Sequence, residues 1–253
     1  MSTLTIAAAQ SISIAGDLAA NIQRHLCFIE VAAEQGVELL VFPELSLTGY
    51  EGEAAAALAI DPHDAVIQPL RDLARTLGIT AVVGMPIRAD KPTAVWIGAL
   101  VLGADGSLGV YSKQHLHTGE ERIFAPGIGG ATLRIGDDKV ALAVCADFNH
   151  ASHAAAAADQ GANLYAAGVL ISEKGYEPDS ALLHGYARQH SMAVLMANHG
   201  GLTGGWQSAG RSAIWSEAGE LVASAAGAGD CLVVAQRSDG EWSGRVVAVD
   251  VPR

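Results

Sequence analysis

Lys139-Val-Ala-Leu-Ala-Val-Cys145-Ala-Asp147-Phe-Asn-His150, followed by the alanine-rich run Ala154–Ala158, is the stretch around which the rest of the chain arranges itself. Val140–Val144 is short, apolar and preceded by the turn-like Gly136-Asp-Asp138, the pattern of a buried strand. The alanines after His150 favour a helix, here expected to about Gln160. Cys145 therefore falls where a strand gives way to a helix. A thiol at such a junction is aimed into a cleft, and a helix N-terminus behind it favours the thiolate. Free Cys is also among the most buried residue types, so a filler role suits the same position. Polar residues elsewhere in the chain decide between the two.

Working outward, units of strand and helix alternate at both ends of the chain. Leu4–Ala9 reads as a strand ending at Gln10. Asp17 caps a helix carrying Ile22, Leu26, Ile29 and Ala33 and stopping at Gly36. The strand Val37–Phe42 runs into Pro43–Tyr50, and a helix from Asp61 to Leu77 stops at Gly78 before the strand Ile79–Pro86. In the middle, Thr93–Leu102 and Leu108–Lys113 flank the hairpin signal Gly103-Ala-Asp-Gly106, and a loop spans Gln114–Gly130. Beyond Ala131–Ile135 and the Cys145 unit come a strand Ala162–Ala166, a helix Asp179–His190 and a strand Met192–Ala197. A flexible loop Gly200–Gly205 follows, then the strands Arg211–Trp215, Leu221–Ser224 and Cys231–Gln236 and an extended Arg245–Val251. The pattern predicts an α/β fold of mixed sheets with helices on their outer faces. With no Pro- or Ser-rich linker and no repeat, residues 1–253 read as one domain.

Composition narrows the function. Half of the 253 residues are apolar and 17% are charged, which specifies a globular protein. A net charge of −12 argues against nucleic acid and against an anionic membrane surface as partners. Cys27, Cys145 and Cys231 are too few and too widely spaced for a disulfide framework or a CxxC zinc site, which fits a reducing compartment. No basic residue precedes Arg24 and no apolar run is long enough to span a membrane, so a cytoplasmic location is expected.

A cysteine nucleophile needs a base for its proton, donors for the developing oxyanion and an acid for the leaving group. Glu44 follows the strand Val37–Phe42, Lys113 ends Leu108–Ser112, and Glu120 lies in the loop just beyond. If these strands are neighbours in one sheet, their C-terminal ends converge where open α/β sheets bind ligands. A carboxylate, an ammonium and a thiol gathered there would perturb one another as a working site requires.

These segments resemble the nitrilase superfamily, the carbon–nitrogen hydrolases acting on amides, carbamoyl groups and nitriles. Phe42-Pro-Glu44-Leu-Ser-Leu-Thr-Gly-Tyr50 is similar to the family's glutamate segment, Tyr111-Ser-Lys113-Gln-His115-Leu116 to its lysine segment, and Val140–Asp147 to its cysteine segment, in the family's order. Glu120 precedes Pro126-Gly127 as the family's second glutamate does, and weaker echoes continue through Asn198 and Gly210-Arg-Ser212. The resemblance implies a four-layer α-β-β-α sandwich of two mixed sheets, assembled as a homodimer or larger homo-oligomer, with no metal or cofactor. It implies that Cys145 forms a thioester, that Glu44 is the base, and that Lys113 and the N–H of Ala146 hold the oxyanion. Glu120 would orient Lys113 or the substrate. Tyr50, Ala146, Asn149 and Asn198 are the candidates for contacting substrate. Within the family, Asp147 points to the amide-cleaving branch, while Asn149 stands where branches acting on carboxylate-bearing substrates carry Arg. A neutral or cationic small amide, or an N-carbamoyl compound, is the expected substrate.

Other readings stay open. The chain could be a nitrilase proper, an acyltransferase passing the thioester to an amine, or a binding subunit without hydrolytic activity. His150 and His153, three apart after Cys145, could ligate a metal together with Cys145 or Asp147. The glycines of Gly127-Ile-Gly-Gly130 and Gly227-Ala-Gly229 complete no phosphate-binding motif and read as turns.

Overall fold

In the computed structural model, which describes residues 3–89 and 94–251, the apolar run Leu4–Gln10 forms strand β1, buried along its whole length. The Asp17 carboxylate accepts the N–H of Ala20 at 3.0 Å and so caps helix α1 (Leu18–Glu34). Strand β2 (Leu39–Val41) leads through the Glu44 segment to a short helix α2 (Ala55–Leu58) and to α3 (Gln68–Leu77), which carries Pro69 in its first turn and is capped by Gly78. Strands β3 (Thr80–Arg88), β4 (Val95–Leu102) and β5 (Leu108–Ser112) follow as antiparallel neighbours. Then come β6 (Leu133–Ile135), β7 (Asp138–Val144), α4 (Ala151–Asp159), β8 (Leu164–Val169), α5 (Tyr176–His190) and β9 (Ala193–Asn198). The chain closes with β10 (Leu202–Thr203), β11 (Trp206–Gln207), β12 (Ala213–Trp215), β13 (Leu221–Ser224), β14 (Cys231–Ser238) and β15 (Glu241–Ala248).

The strands form a seven-stranded sheet, ordered β15-β14-β1-β2-β3-β4-β5, and a six-stranded sheet, ordered β13-β12-β9-β8-β7-β6. Both are mixed. β1, β2 and β3 run parallel in the first sheet, and β7, β8 and β9 in the second, each joined by helix-bearing crossovers. Alternation along the strands then assigns the layers. Ile6, Val82 and Ile97 of one sheet pack with Leu142, Leu195 and Ile214 of the other. Ala7, Leu40 and Val83 face Phe28, Ile29 and Leu70 of α1 and α3. Tyr165, Val194 and Met196 face Leu183, Tyr186 and Ala187 of α5. This is the α-β-β-α sandwich implied by the resemblance. No helix among the described residues is long and apolar enough to cross a membrane.

Several expectations shift in detail. The helix after Cys145 does not start there. Cys145–Asn149 is a 3-10 turn, and His150 is extended before α4 begins. The cause is local: the Asp147 carboxylate turns back onto the N–H of Val144 at 3.1 Å, competing with a regular helical start. The glycine-rich loop at residues 200–205 contains the strand β10 and turns into β11. The polar stretch after residue 237 continues the ladder of β14 with β15, an edge strand with much of its surface exposed. Thr93, expected to begin a strand, lies outside the described residues, as do the chain ends at Met1 and Arg253.

Candidate active site

The polar strand ends do converge, but not within one sheet. Glu44 and Lys113 follow β2 and β5 of the seven-stranded sheet, strands separated by β3 and β4, whereas Cys145 follows β7 of the other. They meet at one end of the interface between the two sheets. Gly168 on β8 permits that approach, because a Cβ there would stand 2.5 Å from the carbonyl oxygen of Phe42.

Lys113 is wholly buried and its Nζ donates to Glu44 Oε1 at 2.6 Å and to Glu120 Oε1 at 2.8 Å. Glu120 is held on every side. Its Oε1 also accepts the Tyr50 hydroxyl at 2.6 Å, and its Oε2 accepts the N–H of His117 at 2.7 Å. Glu44 is held only at one oxygen: Oε2 receives no N–H or O–H from the described residues, and the Cys145 thiol stands close enough to interact with this carboxyl. Burial of Glu44 pushes its pKa up to about 7, against the pull of the Lys113 ammonium. Burial alone would lower the pKa of Lys113, but the surrounding Glu44, Cys145 and Glu120 carry it above the ordinary lysine value. Burial and the Glu44 charge push the Cys145 thiol well up, with Lys113 opposing them. One ammonium thus faces two carboxylates and a thiol whose Sγ lies 3.7 Å from the carbonyl oxygen of Leu170, on a residue that is half-buried as a whole.

Cys145 itself has φ 41°, in the left-handed region that side-chain-bearing residues seldom occupy. Such strain persists only where the surroundings enforce it, and Asp147 supplies the restraint. Fully buried, it accepts the N–H groups of Gln114 and His115 at 3.0 and 2.8 Å on Oδ1, and the Val144 N–H and Tyr111 hydroxyl at 3.1 and 2.7 Å on Oδ2. The lysine segment and the cysteine turn are thereby tied through one side chain. In the sequence Asp147 marks only a branch of the family, because the partners of this clamp lie on other segments of the chain.

His199 was not singled out in the sequence, where nothing distinguishes it from eight other histidines. It is fully buried, and its Nε2–H donates to the carbonyl oxygen of Glu44 at 2.7 Å, fixing the backbone that carries the carboxyl. Burial lowers its pKa to about 4, so the ring is neutral. Its neighbour Asn198 has a different place from the one expected. The Asn198 side chain bonds Ile171 N at 2.9 Å, His199 N at 3.0 Å, Ile171 O at 3.0 Å and Gly210 O at 2.8 Å. That exhausts the polar capacity of a carboxamide, so Asn198 braces loops and offers no polar atom to a substrate. Asn149 is exposed at the end of the 3-10 turn, apart from the buried group; Tyr50 and Ala146 do adjoin it.

The metal alternative finds no support in the geometry. His153 Nε2–H donates to the Tyr111 hydroxyl oxygen and its Nδ1 accepts from the Tyr165 hydroxyl, each at 2.8 Å, so both ring nitrogens are engaged. His150 stacks on His115 with ring centroids 3.8 Å apart. Among the described residues no group of three or more His, Cys, Asp or Glu is arranged to hold a metal ion. A cavity of about 230 Å³ is lined by Tyr111, Gln114, His115 and His153 and does not include Cys145.

The family model described as "Carbon-nitrogen hydrolase" matches residues 5–241. The chain is 31% identical over 153 residues to a glutamine-dependent NAD(+) synthetase of Thermotoga maritima, a match covering 58% of this chain and 26% of the synthetase. It is 28% identical over 182 residues to an (R)-stereoselective amidase of a Pseudomonas species, covering 71% of this chain and 61% of that one. The chain therefore spans less than two thirds of the length of these relatives. Among solved structures, it superimposes with a TM-score of 0.85 on a variant of the amidase from Nesterenkonia sp. AN1, 28% identical and covering 93% of this chain and 90% of that one. In that structure the acetamide moiety of fluoroacetamide is covalently added at the active-site cysteine.

Proposed function

The chain belongs to the carbon–nitrogen hydrolase family, and from that premise we propose that it hydrolyses the C–N bond of a small amide or N-carbamoyl compound through a thioester on Cys145. The observation that carries this reading is the buried Lys113 between two carboxylates, with Glu44 Oε2 left without a protein donor beside the thiol. A base must be ionised, near its target and free to accept, and Glu44 is the group that meets these terms.

Glu44 takes the thiol proton as Cys145 Sγ attacks the carbonyl carbon. The carbonyl π electrons move to oxygen, and the oxyanion is held by the Lys113 ammonium and the N–H of Ala146. Removing one such donor typically costs about 3 kcal/mol of barrier. Collapse of the tetrahedral adduct breaks the C–N bond, and Glu44 returns the proton to the departing nitrogen, which leaves as ammonia from a primary amide. Glu44 then removes a proton from water as its oxygen attacks the thioester; the C–S bond breaks as Glu44 hands that proton to the Cys145 sulfur, and the acid product departs. Glu120, saturated by Tyr50, His117 and Lys113, positions the ammonium throughout.

The test is ammonia release from a panel of primary amides, carbamoyl amines and nitriles, read beside the intact mass of the protein. Acyl adducts on Cys145 with amides, lost in Cys145→Ala together with ammonia release, are the expected result. Full activity in Cys145→Ala, or activity abolished by chelators, would overturn the reading.

A further inference from the structure

Asn198 spends its whole carboxamide on surrounding backbone, and one of those bonds fixes which way a peptide group beside the nucleophile faces. Its Oδ1 accepts the N–H of Ile171 at 2.9 Å. That N–H and the carbonyl of Leu170 belong to one peptide unit, and no peptide bond among the described residues is cis. In a trans peptide the two groups point in opposite directions. With its N–H committed to Asn198, the unit turns the Leu170 carbonyl oxygen the other way, and Cys145 Sγ stands there at 3.7 Å. The next carbonyl is held as well. Asn198 Nδ2 donates to the oxygens of Ile171 and Gly210 at 3.0 and 2.8 Å, and Ser208 Oγ lies 3.3 Å from the same Ile171 oxygen.

The Leu170 oxygen is an acceptor waiting for a donor. Apart from the thiol, no N–H or O–H of the described residues donates to it. Once the thiol has given its proton to Glu44, this carbonyl stands beside the reacting carbon with no hydrogen bond, a state that a substrate donor relieves. It cannot hold the oxyanion, which it repels; that charge goes to Lys113 and the N–H of Ala146. The leaving nitrogen is bonded to the very carbon that Sγ attacks, and in an amide it carries hydrogen. The site thus offers donors to the oxygen of a carboxamide and an acceptor to its nitrogen. An ester presents a lone pair where the amide presents a hydrogen, and two facing lone pairs repel.

We infer that Asn198 is a positioning residue for the leaving group. By holding the Ile171 N–H it aims the Leu170 carbonyl oxygen at the scissile nitrogen, and so selects substrates whose nitrogen carries hydrogen, primary amides and terminal carbamoyl groups, over esters of the same acyl group. The inference rests on the thioester reading above and names the leaving group that reading requires. With one hydrogen on Leu170, the nitrogen keeps its lone pair for the Glu44 proton as the C–N bond breaks and the bonding electrons pass to nitrogen.

The experiment is kcat/KM for propionamide and butyramide, and for methyl propionate and methyl butyrate, with the wild type, Asn198→Asp and Asn198→Ser, beside the unfolding free energy of each protein. Amide and ester of one acid give the same thioester, so their ratio isolates the leaving group. The wild type should take each amide at least as well as its ester, although free esters are the more readily attacked. In both variants the amide rate constant should fall at least about tenfold while the ester stays within about threefold or gains. An equal loss for amide and ester, as a loosened fold would give, or an amide rate that does not change, would overturn the assignment and leave the thioester reading intact. A wild type that prefers the esters would do the same, and this comparison decides even where a variant does not fold. No acyl adduct on wild-type Cys145 with any amide or carbamoyl amine would overturn the thioester reading as well.

Discussion

The Asp147 carboxylate accepts the backbone N–H of His115 at 2.8 Å, and this bond joins the segment of one sheet that carries Lys113 to the turn of the other that carries Cys145. Gln114, Tyr111 and Val144 donate to the same carboxylate. Asp147→Ala leaves buried donors unpaired, so a loss of about 3–5 kcal/mol of stability is expected. Asp147→Asn keeps an acceptor for Gln114 and His115 but turns an N–H donor on Val144, so it should fold with a smaller loss. In that variant kcat should fall at least tenfold with KM within a few fold, because the lysine and the thiol lose registry. Denaturant unfolding and steady-state kinetics on the same preparation check both.

The residues of the site were legible because each ends an apolar run. Glu44, Lys113 and Cys145 are single polar or reactive groups where buried strands stop, and the segments around them have a family's pattern. The partition of their strands between two sheets was not legible. It depends on pairings distant in sequence, such as β1 with β14, where Leu4 lies opposite Arg237. The clamp formed by Asp147 and the brace formed by Asn198 escaped for the same reason: their partners are backbone groups of other segments, which leave no trace in side-chain pattern. The hairpin β10–β11 was hidden by its glycines, which signal flexibility whether or not a hydroxyl such as that of Thr203, which accepts the N–H of Tyr50 at 2.8 Å, pins the turn.

Lys113→Met isolates the electrostatics of the buried group. Without the ammonium, Glu44 and Glu120 face each other inside the protein, and breaking a buried pair in this way costs about 3–5 kcal/mol. The cost falls when the carboxyls can protonate, so the deficit relative to wild type should shrink as pH is lowered. Adding Glu44→Gln to Lys113→Met should recover part of the stability. A double-mutant cycle of unfolding free energies measures this coupling, and strict additivity would contradict a shared charge network.

Activity and stability should respond to the Glu44 proton in opposite directions. As base, Glu44 works only when ionised, and burial raises its pKa from 4.5 to about 7. The rate constant kcat/KM should therefore be lost as pH falls through 7, approaching tenfold per unit below about 6. For stability the sign reverses. Between 4.5 and about 7 the folded protein binds this proton more tightly than the unfolded chain does, so its contribution is present at low pH and is lost as pH rises. The difference in unfolding free energy between wild type and Glu44→Gln, followed across that window, isolates the contribution.

Strain at the nucleophile gives the last expectation. Cys145 has φ 41°, and a left-handed conformation costs a residue with a Cβ roughly 1–2 kcal/mol that glycine does not incur. Cys145→Ala and Cys145→Gly both remove the thiol, and both should be inactive. Elsewhere glycine is the less stable choice, by roughly 0.5–1 kcal/mol, because it loses more freedom on folding. Here the strain it relieves should outweigh that loss, making Cys145→Gly equal to or more stable than Cys145→Ala by up to about 1 kcal/mol. Thermal and denaturant unfolding of the pair decide the matter. An alanine variant more stable by the usual margin would mean that the turn relaxes once the sulfur is gone, and that Asp147 does not enforce the backbone by itself.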